Sequence, residues 1–353
     1  MHSKRINEID LLRFIAAVAV VLFHYAFRGY YSDNMTSMHY PAIEGAAKYG
    51  YLGVELFFMI SGFVILMSVS GESVREFFVS RVTRLYPAFW VCCTLTFLAT
   101  LLIGGERYEA TLPQYLKNMT MLGGFVGVSP IDGSYWSLFV EIRFYAIIAA
   151  LLLIRQMRRV EMFLALWILA TVAIEIANIK ILKQLLITGY SGYFIAGAFF
   201  FKVWESGLSA KRLTAIAACF FITTYQSILT AETMSEALNT DFSLAVVCIV
   251  NASIYALIYL ISVGKTGPIK HMTWKTIGAL TYPLYLIHQF LGFMIFNAFS
   301  GVLNEHAVFW STIALMISIS YCVNVIERKS AKPMKTWLFS VLRIGRAQPR
   351  LLP

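Results

Sequence analysis

The chain has 353 residues, of which 59% are hydrophobic, 15% aromatic and only 14% charged, with a mean hydropathy of +0.69. Soluble domains carry about a quarter charged residues, so this composition excludes a soluble globular fold and points to a polytopic membrane protein. A formal net charge of +10, from 29 Lys and Arg against 19 Asp and Glu, raises nucleic acid as a partner, and the placement of those cations decides the question.

Apolar runs separated by polar breaks predict spans at about 8–28, 50–70, 84–104, 136–154, 161–178, 185–201, 212–229, 242–262, 276–299 and 307–326. Each is long enough to cross a hydrocarbon layer of about 30 Å at about 1.5 Å per residue. In lipid only a helix satisfies every backbone group within one segment. The expected fold is therefore all-α, a polytopic membrane helix bundle of about ten transmembrane helices. One membrane domain fills 1–327 and a basic tail fills 328–353, where "TWLFSVL" suits the surface of the inner leaflet. Lys4 and Arg5 precede the first run as in a signal peptide, but Asp10 and Arg13 interrupt that run, so an uncleaved span is expected. Cys92, Cys93, Cys219, Cys248 and Cys322 all lie in apolar runs without CxxC spacing, which makes them small core hydrophobes and gives no metal site.

Of the 29 cations, 21 fall in alternate connections: Lys4 and Arg5, then Arg75 to Arg84, Arg155 to Arg159, Lys202 to Arg212, Lys265 to Lys275, and the tail from Arg328. The other connections hold six, Arg28, Lys48, Arg107, Lys117, Lys180 and Lys183. Such asymmetry places both termini in the cytoplasm and agrees with an even number of spans. The positive charge is a topology signal, and nucleic acid is not an expected partner. Two connections on the other side, about 29–49 and about 105–135, are long for a compact bundle and read either as caps over a site or as plain surface linkers.

In the first span, "DLLRFIAAVAVVLFHYAFRGY" carries Arg13 and His24. An ionisable group inside a span costs at least about 2.5 kcal/mol and marks a function or a specific partner. Eleven residues at about 100° each bring the two side chains to one face, about 16 Å apart along the axis. Arg13 reads as a lining group or as a cation reaching the inner interface; His24 reads as a base or as a buried ring satisfied by a carbonyl. The second span, "YLGVELFFMISGFVI", adds Glu55 and the small residues Ser61 and Gly62, which let helices approach closely.

"FFVSRVTRLYPAFW" puts Arg81 and Arg84 at i, i+3, a two-pronged cation that suits a phosphate or serves orientation alone. "SYWSLFVEIRFYAII" places Glu141 and Arg143 at the start of the fourth span, where the carboxylate needs a partner. His24, Arg143 and Arg13 are the candidates, and a His24 contact would fix the imidazole tautomer for general-base work. His288, in "LTYPLYLIHQF", lies near mid-span and reads equally as substrate contact or structural histidine.

Arg13 with His24, "GVELFFMISGF", Arg81-x-x-Arg84 followed by "LYPAFW", "WSLFVEIRFY" and "LTYPLYLIHQ" run in one order over about 300 residues. In that order the chain resembles the membrane-bound acyltransferase 3 family, whose members move acyl groups, often acetyl, from a coenzyme A thioester to extracytoplasmic carbohydrates or other acceptors. The resemblance implies that His24 and Arg13 are needed for transfer, that Arg81 and Arg84 help hold the donor, and that Glu141 belongs to the site. Glu55, Ser61, Trp136, Ser137, Tyr145, Tyr285 and His288 are candidate substrate-lining residues. Glu55 stands where relatives often carry aspartate. Larger relatives have a fused SGNH-type domain after an extra span, so hand-over to such a domain is not expected here unless a separate protein supplies it.

The expected reaction moves an acetyl or other acyl group from acyl-CoA on the cytoplasmic side to a hydroxyl of a cell-surface glycan or lipid-linked sugar. His24 is the general base of a direct transfer, the simpler scheme, with a covalent acyl-His24 intermediate as the alternative; acyl-CoA is a co-substrate, no cofactor is tightly bound, and the protein sits in the cell (inner) membrane among its lipids. The rival reading is a transporter or exporter whose Arg, His and Glu groups form a relay; pseudo-symmetric halves with broken helices, frequent in transporters, are not visible in the sequence.

Overall fold

The computed structural model describes residues 6–32, 35–69 and 71–342. Lys4, Arg5 and the end of the basic tail lie outside the described residues. Among the described residues, ten helices are long and apolar enough to cross a membrane: α1 (Asn7–Tyr31), α2 (Pro41–Ser68), α3 (Val74–Ile103), α4 (Gly133–Leu153), α5 (Met157–Ala177), α6 (Lys180–Ser206), α7 (Ala210–Leu238), α8 (Leu244–Ser262), α9 (Lys275–Phe299) and α10 (Glu305–Val341). No strand occurs among the described residues. The protein is a multi-pass membrane helix bundle.

Local chemistry explains the helix limits. Ser73 and Glu76 form a reciprocal cap at the start of α3, Glu76 Oε2 accepting from Ser73 N at 2.8 Å and Ser73 Oγ accepting from Glu76 N at 3.3 Å. Pro283 lies inside α9 and removes the N–H that Ala279 O would otherwise accept. Asn324 of α10 donates to that carbonyl at 3.3 Å. The last helix continues past the expected end of its span to Val341, so much of the predicted tail is helical.

Burial separates a core from a rim. α1, α2, α6 and α9 bury 61 to 78% of their apolar windows, whereas α5, α7, α8 and α10 bury 33% or less and turn side chains such as Phe221, Tyr225 and Ile249 outward, as lipid contact requires. Small residues set the spacing of the core helices. A Cβ on Gly197 of α6 would lie 1.9 Å from Met59 O of α2, and one on Gly62 would lie 2.0 Å from Phe194 O of α6. Backbones so close let dispersion and packing hold two apolar helices together where no hydrophobic driving force exists.

Asn7 Nδ2 donates to Lys270 O and Arg75 Nη1 to Leu342 O, which gathers the first residues and the cation-bearing connections at one end of the bundle, here the terminal end. The two long connections cover the opposite, distal end: Tyr40 meets His306 at 2.8 Å, and Ser37 N and Arg107 both donate to Asn297 Oδ1 at 3.1 Å. Cys92, Cys93 and Cys219 are buried and unbridged.

Candidate functional site

Two cavities lie between the core helices and abut. The first, of about 100 Å³, is lined by Arg13 of α1, Ser61 of α2, Arg84 of α3, and Glu141 and Tyr145 of α4. The second, of about 260 Å³, is lined by His24 and Arg28 of α1, Glu55 of α2, Trp136 of α4, Tyr190 of α6 and Gln289 of α9. Both are large enough for several waters, at about 10–15 Å³ each. Val54 and Tyr285 line both, and the Tyr285 hydroxyl shares a 2.7 Å hydrogen bond with Ser137 Oγ. A tyrosine thus stands where one chamber becomes the other.

The first chamber is charged. Arg13 interacts electrostatically with Arg84, Glu141 and Asp10. Glu141 Oε1 accepts from Ser61 Oγ at 2.6 Å. Arg81 lies beside this chamber without lining it. Its guanidinium packs 5.4 Å from the Phe77 ring and 5.9 Å from Tyr145, and Nη2 donates to Ser80 Oγ at 2.9 Å. Its Nε and Nη1 are buried with no hydrogen-bond partner among the described residues, which is costly for a cation unless an anion completes the shell.

The second chamber carries the imidazoles. α1 changes to a π turn over His24–Arg28, a local widening often found at functional sites. His24 Nδ1 lies 2.9 Å from Val20 O and 3.1 Å from His288 Nε2. The rings meet edge to face, centroids 4.9 Å apart. His288 Nδ1 in turn lies 2.9 Å from Tyr285 O and 3.2 Å from Leu284 O. Glu55 Oε2 accepts from the Tyr193 hydroxyl at 2.5 Å and from Ser227 Oγ at 3.0 Å, and Tyr193 also reaches Asn251 Oδ1 at 3.2 Å. Asp132, just before α4, accepts from Ser134 N and from Phe290 N, both at 2.9 Å, and pins the loop to α9. Among the described residues no group of three or more His, Cys, Asp or Glu is placed to hold a metal ion.

Residues 6–325 match the family described as an acyltransferase domain, acyltransferase 3. The chain belongs to the acyltransferase 3 family. It is 32% identical to Nodulation protein 10 of Rhizobium leguminosarum bv. viciae over 170 residues, 41% of this chain and 44% of that one. Over 171 residues it is 26% identical to the peptidoglycan O-acetyltransferase OatA of Listeria monocytogenes, 43% of this chain and 25% of that one. It is 27% identical to the O-acetyl transferase of Shigella phage Sf6 over 161 residues, 42% of this chain and 45% of that one. The matched region spans less than half the length of each of these relatives. No solved structure gives a significant match.

Within this acyltransferase 3 bundle, Arg13 and His24 both face the interior, one in each chamber. Arg84, Ser61, Ser137, Glu141 and Tyr145 gather in the first chamber, Glu55 and Trp136 in the second, with Tyr285 in both. The expected meeting of His24 with Glu141 is replaced by the His24 to His288 contact. Glu141 lies about 6 Å further along α4 than Ser137, at about 1.5 Å per residue, and so falls beyond the tyrosine on the arginine side. Nor does Arg143 pair with Glu141; it lies over the Phe125 ring at 4.8 Å. Sequence reasoning missed Tyr193, Tyr190, Gln289 and Asp132. The demand of buried Glu55 for donors was the available signal for Tyr193.

Proposed function

We propose that this protein is a membrane O-acyltransferase that moves an acetyl or similar acyl group from acyl-CoA, entering at the terminal end, to a hydroxyl of a cell-surface glycan or lipid-linked sugar reached from the distal end. The observation that carries this reading is the pair of abutting chambers, arginines in one and an imidazole in the other, with one tyrosine between them. Phosphates of a coenzyme A donor cannot enter lipid and need cations at a mouth. Arg84 and Arg13 line the first chamber, and the two unpartnered nitrogens of Arg81 suit a phosphate oxygen beside it. The charge asymmetry supports placing this end in the cytoplasm, in a cell (inner) membrane. The O-acetyltransferase names of relatives support acetyl as the group and a surface glycan as the acceptor.

In the reaction, His24 Nε2 takes the proton of the acceptor hydroxyl as its oxygen attacks the thioester carbonyl. The tetrahedral adduct collapses, the carbon–sulfur bond breaks, and the thiolate recovers a proton from His24. A sugar hydroxyl is barely ionised at neutral pH, so a positioned base is worth about 10²–10⁴ in rate. Incubating proteoliposomes of the purified protein with [14C]acetyl-CoA and a glycan acceptor tests this. Label is expected in the glycan, lost in His24→Ala. Transfer surviving intact in His24→Ala, or flux of substrate without acyl-CoA turnover, overturns it.

A further inference from the structure

His24 and His288 form a closed chain of hydrogen bonds whose proton positions are fixed by what they face. Backbone carbonyls only accept. His288 Nδ1 faces two of them, Tyr285 O and Leu284 O, and therefore carries a hydrogen. In a neutral ring its Nε2 then holds a lone pair, and that atom lies 3.1 Å from His24 Nδ1. His24 Nδ1 sits between this lone pair and Val20 O, two acceptors, so it carries the hydrogen too. A protonated His288 would set an N–H against an N–H and add a cation where both rings are buried, at a cost of several kcal/mol. Only the neutral arrangement gives each contact a donor and an acceptor, and it leaves His24 Nε2 as a lone pair with no protein hydrogen bond among the described residues, on a ring that lines the second chamber.

We propose that His288 is the positioning residue of the acyl-transfer base: its Nε2 accepts the Nδ1–H of His24, fixes that tautomer, and holds the His24 Nε2 lone pair toward the acceptor hydroxyl. The proposal rests on the acyltransferase reading above. His288 is itself held on both sides. Its backbone carbonyl accepts from Tyr25 Oη at 2.7 Å, and the N–H two residues on, at Phe290, donates to Asp132. When His24 accepts the hydroxyl proton at Nε2 it becomes an imidazolium. The Nδ1–H bond to His288 is then charge-assisted, which strengthens it as charge develops. A neutral acceptor does this without adding a second charge to the membrane interior, as a carboxylate would. The proton leaves again from Nε2 to the thiolate, and His288 ends unchanged.

Two measurements on the full chain in liposomes test this. Solid-state 15N NMR of the histidine-labelled protein reads the tautomers directly, and only six histidines need assignment. Both His24 and His288 are expected protonated at Nδ1 and bare at Nε2, with the His24 tautomer becoming mixed in His288→Leu; a His24 proton on Nε2 in the wild type overturns the proposal. In acetyl transfer from acetyl-CoA, His288→Leu is expected to lower kcat by up to about 10⁴-fold, the loss that follows when a catalytic imidazole is left in the wrong tautomer, with the KM for acetyl-CoA little changed. His288→Gln, whose amide oxygen also accepts, is expected to recover much of that loss. Full activity in His288→Leu, or equal losses in both variants with a raised donor KM, sinks it. If the wild type transfers no acetyl group, the functional reading falls, while the tautomer measurement still decides the pairing.

Discussion

The Tyr285 hydroxyl and Ser137 Oγ are hydrogen-bonded at 2.7 Å at the plane where the arginine-lined chamber meets the imidazole-lined one. In the proposed reaction, a thioester in the first chamber would be shielded from water in the second by this bridge, and the acyl group would pass it to reach His24. Tyr285→Ala opens the partition. Acetyl-CoA hydrolysis without acceptor is expected to rise several-fold relative to transfer, measured as free acetate against acetylated glycan. A ratio equal to that of the wild type would show that the bridge does not separate donor from water.

The buried carboxylate of Glu55 depends on two hydroxyl donors from other helices, Tyr193 and Ser227. Tyr193→Phe removes one and should destabilise the bundle by about 1–3 kcal/mol, the usual cost of leaving a buried group short of a partner. In a Glu55→Gln background the same change should cost less, because the amide needs no charge-assisted donor. Thermal unfolding in detergent of both singles and the double gives the coupling; strictly additive losses would mean that Tyr193 acts by packing alone.

Helix α6 meets α2 at glycine, and the two faces differ sharply in what they tolerate. Gly197→Val forces atoms onto Met59 O and should lower stability by about 1–3 kcal/mol or prevent assembly, as overpacking does. Gly189→Ala, eight residues earlier on the same helix, meets nothing within 4 Å and should be neutral or stabilising by about 0.5 kcal/mol. Equal yields and melting temperatures for the two variants would contradict the close α2–α6 approach.

The ten spans were legible because an apolar run of about 20 residues has no other way to satisfy its backbone in lipid. The shared face of Arg13 and His24 followed from 100° per residue. Which ring meets His24 did not follow. That depends on which helices flank α1, and the decision lies in close approaches such as Gly278 against Asp10, Gly292 against Tyr25 and Gly50 against Ala19. No sequence pattern marks the π turn that begins at His24. The exclusion of Arg81 from the chamber that Arg84 lines was hidden too, since a spacing of three leaves the two side chains about 60° apart around the helix, enough to put aromatic rings beside one and a cavity beside the other.

Asp132 supplies the pH dependence. It is fully buried just outside α4, and burial pushes its carboxyl up from 3.8 to about 6, while the N–H groups of Ser134 and Phe290 oppose that rise. Because the folded chain holds this proton more tightly than the unfolded chain does, its contribution to stability is complete below about pH 4 and is lost as pH rises through about 6. Asp132→Asn removes the titration, so the difference in melting temperature between wild type and variant, followed from pH 4 to 8, should change between about pH 4 and about 6 and be level above that. The variant also replaces one acceptor oxygen by an NH2 group at the clamp on Phe290, so transfer should weaken as His288 loses its anchor two residues away. A constant difference in melting temperature across that range would place the proton elsewhere.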